Sequence, residues 1–222
     1  MGIISIENTN RLFWLGRYSE RVYTTIRLFS DSYDQMIDID FGNYQDFCRE
    51  LDIPNIYNSK EDFIENYCFD DSDPNSIYAN LMRAYDNAIV LREEIGSETL
   101  SYIQLAVYEM QKAKISSSPL IELQKVIDNI LAFWGIADDS IDDENVRNII
   151  KVGKRVERLD LYGRLHMNRE EITREVCRLS DRIQKTMLSY NADNLRNLND
   201  IVLSKEMDYY NVVQNVDGLV VQ

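Results

Sequence analysis

The sequence is poor in the two residues that interrupt helices. Its 222 residues include only eight glycines and three prolines. Because helix interiors tolerate neither residue well, this scarcity favours long helices with short connections. No segment shows an apolar/polar alternation strong enough to outweigh the helical patterns. We therefore predict an all-α fold, a multi-helix bundle. Its length suits a single domain over 1–222, with a less regular insertion at 40–70 and a C-terminal helix and tail at 190–222.

Residues that build disulfides and metal sites are also scarce. The three cysteines lie far apart without CxxC spacing, which predicts reduced thiols in a reducing compartment. His166 is the single histidine, and neither zinc-ligand spacing nor a Glu-x-x-His pair accompanies it. We predict no cofactor and no metal, and we expect His166 to pack at a helix end rather than to act as an acid or base. Glycine-rich phosphate loops are absent as well.

Export and membrane signals are missing from the sequence. The first ten residues contain no basic segment followed by an apolar one, as a secretory signal requires. No uncharged apolar run reaches the ~18 residues that span a bilayer. We therefore predict a cytoplasmic protein without membrane contact.

The charge has one dominant sign. The chain carries 38 acidic and 24 basic residues, a net charge of −14. A field of this sign repels a phosphate backbone, which argues against broad nucleic-acid binding. The acidity itself is typical of a solvated surface.

Apolar periodicity predicts where the helices lie. Leu15, Val22, Phe29 and Met36 recur every seven residues, with Tyr33 between the last two, so a long helix is expected over Ser5–Met36. Two short helices, the second capped at Ser59, should follow within 41–67, and we expect Trp14 and Trp134 to lie in the core. Further helices are predicted over Ser76–Glu94, Ser97–Ala113 after an interruption at Gly96, Pro119–Gly135 with Ser118 as its cap, Asp143–His166, Asn168–Ser189 and Leu195–Tyr209, while 212–222 is ambiguous.

An internal repeat is the most specific feature. Residues 16–28 read GRYSERVYTTIRL and residues 153–165 read GKRVERLDLYGRL, and the two align without a gap. Each copy contains a Glu-Arg pair preceded by a glycine and followed by a second arginine. The identical pairs are Gly16/Gly153, Glu20/Glu157, Arg21/Arg158, Arg27/Arg164 and Leu28/Leu165. The two segments should therefore share a structural role.

Helical geometry indicates how the two copies are used. At 100° per residue Gly16, Glu20 and Arg27 fall on one stripe, and the glycine permits close approach of another helix. Neighbours Glu20 and Arg21 point about 100° apart and do not pair simply with each other. We predict ion pairs across helices, Glu20 with a basic residue of the second copy and Glu157 with one of the first.

Two interpretations of the repeat remain open. In one, a buried ion-pair network fixes how two central helices dock. In the other, Arg17, Arg21, Arg158 and Arg164 line a cleft for a carboxylate or phosphate, with the two glutamates orienting them.

A third interpretation rests on an acidic motif. Asp138, Asp139 and Asp142 form the pattern DDxxD, which helical prenyl-chain enzymes use to hold Mg²⁺ and a diphosphate. Clustered carboxylates do suit a hard cation. The same residues are also good helix-start residues, and a second metal motif is not evident. The motif is therefore a weak candidate for a metal site.

The repeat resembles a known family. The runs NRLFWLGRYSERVYTTIRL and VGKRVERLDLYGRL are similar to the two ER-motif helices of the bacterial alpha-E domain, an all-helical domain. The segment AYDNAIVLREEIGSE resembles the central segment of that family and contributes Asn87 and Arg92. Tyr85 and Ile89 stand where the family usually has arginine, and Leu100 replaces an expected tryptophan, so an anion-binding role of the central helix is in doubt.

The resemblance implies a role through partners. Alpha-E proteins are commonly encoded beside ATP-grasp-like ligases and transglutaminase-like proteins. This association implies an accessory or protein-interaction domain in peptide ligation or modification, with a protein partner such as an ATP-grasp-like ligase. It assigns no catalytic residues, and the oligomeric state does not follow from it.

Overall fold

A computed structural model describes residues 4–38 and 43–221 of the chain. Over these residues the protein forms ten α-helices and no strand, with one isolated antiparallel bridge between Tyr190 and Val220. The predicted all-α fold is confirmed. The side chains of Tyr33 and Met36, which belong to the predicted heptad pattern, lie outside the described residues. The helices are α1 (Ile6–Asp38), α2 (Asn43–Glu50), α3 (Lys60–Phe69), α4 (Ile77–Val90), α5 (Arg92–Ile115), α6 (Pro119–Ser140), α7 (Glu144–Arg164), α8 (Arg169–Ile183), α9 (Ala192–Leu203) and α10 (Tyr209–Asp217).

Two helices begin at a side-chain cap, whereas the predicted cap of a third is not formed. The Ser59 hydroxyl accepts a hydrogen bond from the Asp62 amide at 3.1 Å and begins α3. The Asn168 side chain accepts one from the Glu171 amide at 3.0 Å and begins α8. Ser118 precedes α6 but makes no side-chain cap bond. Pro119 occupies the first turn of α6, as predicted.

Several helix ends differ from the sequence-based expectation. The predicted end at Gly135 is wrong, because α6 continues to Ser140 and its buried face extends through Phe133 and Ala137. Gly96 does interrupt α5, with φ +79° and ψ 154°. The last predicted helix ends earlier than expected, at Leu203, and a separate helix α10 begins at Tyr209 and extends into the segment that was left ambiguous. Similarly, α8 ends at Ile183 rather than near Ser189.

The chain divides into two compact units. One comprises Met1–Arg17 with Asp143–Gln222, and the other comprises Tyr18–Asp142. The first is called the terminal unit below and the second the middle unit. The prediction of one domain over 1–222 stays a prediction.

The middle unit packs the α5–α6 hairpin and α4, and it contains an aromatic cluster from the insertion. Phe63 of α3 stacks on Tyr67 with ring centroids 5.2 Å apart, and it also packs against Phe29 at 6.0 Å. The Tyr57 hydroxyl donates to the buried Asp73 carboxylate at 2.9 Å. The described part of the insertion, residues 43–70, is therefore packed within the middle unit largely through its aromatic side chains.

The terminal unit is organised around α7. Twelve of the 21 residues of α7 are buried, which is typical of a helix surrounded by others. Helix α8 packs along it, and α10 packs against its C-terminal half. At Gly163 of α7 an added Cβ would lie 2.7 Å from Val213 Cγ2, so the missing side chain permits the close packing of α10.

Candidate functional site

The two copies of the repeat supply a glycine each to a close helix contact in the terminal unit. A Cβ added to Gly16 of α1 would collide with the Ile150 carbonyl oxygen and lie 3.0 Å from the Lys154 amide nitrogen. A Cβ added to Gly153 of α7 would collide with the Phe13 carbonyl oxygen and lie 3.2 Å from the Arg17 amide nitrogen. Each glycine therefore faces the backbone of the other helix, and the contact is nearly symmetric.

An ion pair joins the same two helices. The Arg17 Nε donates to Glu157 Oε2 at 2.6 Å, and the two side chains are 14% and 1% exposed. The Arg17 guanidinium also lies over the Trp14 ring, 4.8 Å from its centroid. The predicted pairing of Glu157 with a basic residue of the first copy is confirmed. Since a buried carboxylate needs such a partner, the pair fixes the docking of the two helices.

A second buried acid lies one turn further along α7. The Asp160 side chain is 2% exposed and accepts a hydrogen bond from Arg164 Nε at 2.9 Å. Burial raises the pKa of Asp160, and the nearby carboxylates of Glu157 and Asp217 raise it further, whereas Arg164 and Arg17 lower it. The protonated form of this carboxyl group is thus favoured relative to an exposed aspartate.

A groove of about 250 Å³ opens beside the ion pair. Five of its seven lining residues are apolar, and Arg17 and Asp217 are its two charged residues. Asp217 is 48% exposed and its carboxylate lies 3.8 Å from Arg164 Nη2. The residues that line the groove are Phe13, Trp14, Arg17, Val156, Val216, Asp217 and Val220. The groove therefore combines an aromatic and aliphatic wall with one partly exposed carboxylate.

The remaining residues of the ER pairs have different surroundings. Glu20 of the middle unit is fully buried and accepts a hydrogen bond from the Thr24 hydroxyl at 3.0 Å. Arg158 of the terminal unit lies 3.7 Å from the Glu175 carboxylate and is 15% exposed. The predicted pair between Glu20 and the second copy, and the predicted role of Arg21, involve residues of both units and stay predictions.

The second arginines of the two copies are not equivalent. Arg164 is partly buried and pairs with Asp160. Arg27 is exposed, and its Nη1 donates to the Tyr23 hydroxyl at 3.1 Å. Arg27 therefore shares the predicted stripe with Gly16 and Glu20 but is not packed like them, because a long guanidinium side chain can reach solvent from the edge of a helix face.

Asn87 and Arg92 of the central segment are not among the residues that line the groove. Arg92 is exposed at the start of α5, and its Nε donates to the Ser97 hydroxyl at 3.0 Å. The Asn87 carbonyl accepts the Leu91 amide at 3.0 Å, where α4 ends. In this arrangement both residues belong to the joint between α4 and α5.

The acidic motif lies on the surface of the middle unit. Asp138 and Asp139 belong to the last turn of α6 and Asp142 follows it, and all three are exposed. In the described part of the chain no group of three or more His, Cys, Asp or Glu residues is arranged to hold a metal ion. The exposed position does not fit a diphosphate enzyme, whose metal would need to face a deep apolar cavity.

His166 lies just after α7, and its ring stacks on Tyr209 of α10 with centroids 4.5 Å apart. Its backbone adopts φ +48°, the left-handed conformation that commonly follows a helix. The expectation that His166 packs at a helix end is confirmed.

Trp14 differs from its predicted position. It was expected in the core, yet it is only partly buried and lines the groove. Helical spacing places it next to Phe13 but does not reveal that α10 leaves a gap beside it. Trp134 is likewise partly rather than fully buried.

Comparison with known proteins supports the resemblance. No curated protein and no solved structure matches the chain. Among the described residues, none of the helices is long and apolar enough to cross a membrane. The family model of Alpha-E, a predicted alpha-helical domain with a conserved ER motif, matches residues 8–196. The two ER segments, the glycine contact between them and this match lead to one conclusion: the chain belongs to the Alpha-E family.

Proposed function

We propose that this Alpha-E domain is an accessory module that acts by binding a protein partner through the groove of the terminal unit. The observation that carries the proposal is the groove itself, in which Trp14 is partly accessible. Trp14 lies beside Arg17, whose charge is paired with that of Glu157. Interfaces are enriched in tryptophan and depend on a few aromatic anchors. A groove that combines apolar side chains with a partly exposed carboxylate suits a peptide segment of a partner.

The size of the groove favours a peptide over a small metabolite. Its volume of about 250 Å³ is below the ~300–1,000 Å³ of typical small-molecule sites. The partly exposed Asp217 carboxylate would accept an N–H donor or pair with a basic side chain of the partner. An ATP-grasp-like ligase, or a transglutaminase-like protein, is the partner class that the family association favours, in a cytoplasmic peptide-ligation or modification system.

The alternative of an anion cleft formed by the ER arginines has weaker support. Arg17 does line the groove, but its Nε donates to Glu157 at 2.6 Å. Arg164 is likewise paired with Asp160. An anion would have to compete with these carboxylates for both guanidinium groups, so the ER network is better suited to docking than to anion capture.

A binding assay with two adjacent valines tests the proposal. Val220 lines the groove, whereas the next residue, Val221, is 59% exposed and does not line it. The full chain and the variants Val220→Glu and Val221→Glu would be titrated with a purified ATP-grasp-like ligase. Because a buried charge in the groove opposes apolar contact, we expect Val220→Glu to weaken binding at least about tenfold and Val221→Glu to bind like the unmodified chain.

Fluorescence gives an independent reading of the same site. In a Trp134→Phe background, Trp14 is the only remaining tryptophan of the chain. Partner binding in the groove should shift its emission to shorter wavelength. Equal affinity of both valine variants, or binding without any change in Trp14 emission, would exclude the groove. Absence of binding by the unmodified chain to both partner classes would overturn the accessory role.

A further inference from the structure

A cluster of arginines lies between α7 and α8, away from the groove. Residues 144–183 contain ten basic and seven acidic side chains, while the rest of the chain contains fourteen basic and thirty-one acidic ones. In a protein with a net charge of −14 this is a local excess of positive charge. Like charges brought together repel, so the contacts of the individual arginines at this seam decide whether their charge is matched locally.

Glu175 of α8 is at the centre of the cluster. Its side chain is 2% exposed, and Arg155 Nη1 of α7 lies 2.5 Å from Oε2. Arg178 Nη1 lies 3.0 Å from Oε1 of the same carboxylate, and Arg158 lies at 3.7 Å. One buried carboxylate is therefore shared by several guanidinium groups.

A further arginine follows on α8. Arg182 Nη1 donates to the Asn148 side-chain oxygen at 3.0 Å, so its partner within the cluster is a neutral amide. Even without Arg158, Arg155 and Arg178 share the carboxylate of Glu175 while Arg182 contacts a neutral amide, so these three guanidinium groups meet one carboxylate and two positive charges are in excess. Burial lowers the pKa of Arg155, and the charges of Arg158 and Arg178 lower it further, against the effect of Glu175.

Two buried donors of the cluster lack an acceptor among the described residues. The Asn148 residue is 3% exposed, and its side-chain Nδ2 makes no hydrogen bond. Arg155 Nε is also buried and makes none. Buried donors in native proteins are nearly always satisfied, so orphan N–H groups beside excess positive charge indicate an acceptor that is not part of the protein.

We propose that the α7–α8 seam binds a phosphoryl group, with Arg155, Arg178 and Arg182 as its ligands. A phosphate monoester carries a charge of about −1.5 to −2 near neutral pH and presents three acceptor oxygens. It therefore matches the excess charge of the cluster, which a carboxylate monoanion would only half neutralise. Guanidinium groups bind such oxygens through paired N–H donors.

The position of the cluster permits access and separates it from the groove. Arg178 is 49% exposed and lies between Glu175 and Arg182 along α8, so a ligand can reach it from solvent. At 100° per residue, Asn148 and Arg155 lie on the opposite face of α7 from Gly153 and Glu157, which contact α1. The phosphoryl site is thus independent of the proposed partner groove.

Calorimetric titration of the full chain with inorganic phosphate tests the proposal, with acetate at matched ionic strength as the carboxylate comparison. Arg178→Gln is the main variant because a half-exposed side chain can be replaced without disturbing the core. Arg196→Gln is the matched control, since Arg196 is 68% exposed on α9 of the same unit and pairs with Asp193 at 2.9 Å. Thermal melts monitored by circular dichroism verify that both variants fold.

We expect saturable phosphate binding by the unmodified chain, a loss of affinity of at least about tenfold in Arg178→Gln, and no change in Arg196→Gln. Phosphate should raise the melting temperature of the unmodified chain, and Asn148→Leu, which removes the orphan amide, should weaken the effect. The proposal is overturned if phosphate does not bind at millimolar concentration, if acetate binds equally well, or if Arg178→Gln binds like the unmodified chain. An equal loss in Arg196→Gln would show only nonspecific charge attraction and would also overturn it.

Discussion

Buried carboxylates are the residues that distinguish this molecule at the smallest scale. Glu157, Asp160 and Glu175 are each at most 2% exposed, and each accepts a hydrogen bond from an arginine. An unpaired buried carboxylate would shift to its neutral form or destabilise the fold, so these arginines are required where they are. Arginine suits the task because its charge is retained on burial and its donors form a planar fork.

The raised pKa of Asp160 predicts a pH-dependent stability. Burial favours the protonated form in the folded protein, so the contribution of this group to stability falls as pH rises above its ordinary pKa of about 3.9 and through its raised folded value. Asparagine does not ionise, so Asp160→Asn removes this loss of stability at higher pH. Arg164 can still donate a hydrogen bond to the amide oxygen. We expect the variant to exceed the unmodified chain in free energy of unfolding at pH 7, with the difference shrinking toward pH 4.

Urea unfolding at both pH values measures the effect. Asp200→Asn is the control, because Asp200 is an exposed residue of the same unit. A stability difference for Asp160→Asn that does not depend on pH would contradict the assignment.

The cysteines predict a difference in thiol reactivity. Cys177 is exposed, whereas Cys48 and Cys68 are buried, and burial raises the pKa of Cys48 to about 11. Since the thiolate is the reactive form, an aromatic disulfide reagent should titrate one thiol in the native protein and three after unfolding. Cys177→Ser should abolish the native reaction. Rapid reaction of two or three thiols without denaturant would show that the aromatic cluster is more open than described.

At the scale of the elements, the glycines of the repeat explain how α1 and α7 approach each other. Gly16→Ala would place a methyl group against the Ile150 carbonyl, and the backbone cannot move aside as a flexible side chain would. We expect a loss of about 1–3 kcal/mol or more in the free energy of unfolding, as for other overpacked sites.

Gly135→Ala is the matched control for this prediction. Gly135 also lies within a helix, but no atom lies within 4 Å of an added Cβ. Alanine is favoured over glycine in a helix, so a gain of roughly 0.5–1 kcal/mol is expected there. Similar effects of the two substitutions would contradict the close contact at Gly16.

Gly96 represents a different use of glycine in α5. Its φ of +79° with ψ of 154° is a conformation that other residues rarely adopt, although space for a Cβ is available. Gly96→Ala should therefore cost about 1–3 kcal/mol through backbone strain rather than through collision. Thermal unfolding of Gly96→Ala beside Gly135→Ala separates strain from helix propensity. A gain in stability at Gly96 would contradict the described kink.

At the scale of the whole molecule, the sequence predicts the helices and the paired ER segments but not the surroundings of the charges. The repeat predicted that Gly16, Gly153 and Glu157 lie at a helix contact, because residues three or four positions apart lie on one face of a helix. The groove was missed because it depends on α10, whose residues lie in a segment that sequence patterns left ambiguous. Which partner a charged side chain meets depends on tertiary packing, as the contrast between Arg164 and Arg27 illustrates.

The arginine cluster of α7 and α8 was missed for a related reason. In sequence, Arg155 and Arg178 belong to ordinary mixed-charge helices, whose charged positions usually face solvent. Only the packing of the two helices brings them to one buried carboxylate. The excess of basic over acidic residues in α7 and α8, within a chain of negative net charge, could nevertheless be counted from the sequence.

The central claim is that the ER network is a docking device whose charges neutralise each other within the protein. A double-mutant cycle on Arg17 and Glu157, each replaced by Met, tests it most directly through the free energy of unfolding in urea. We expect each single variant to lose about 3–5 kcal/mol, because each removes the partner that a buried charge has in this pair, and the double variant to lose at least about 2 kcal/mol less than the sum of the two. Losses that add to within about 0.5 kcal/mol, or a single variant that unfolds like the unmodified chain, would contradict the account.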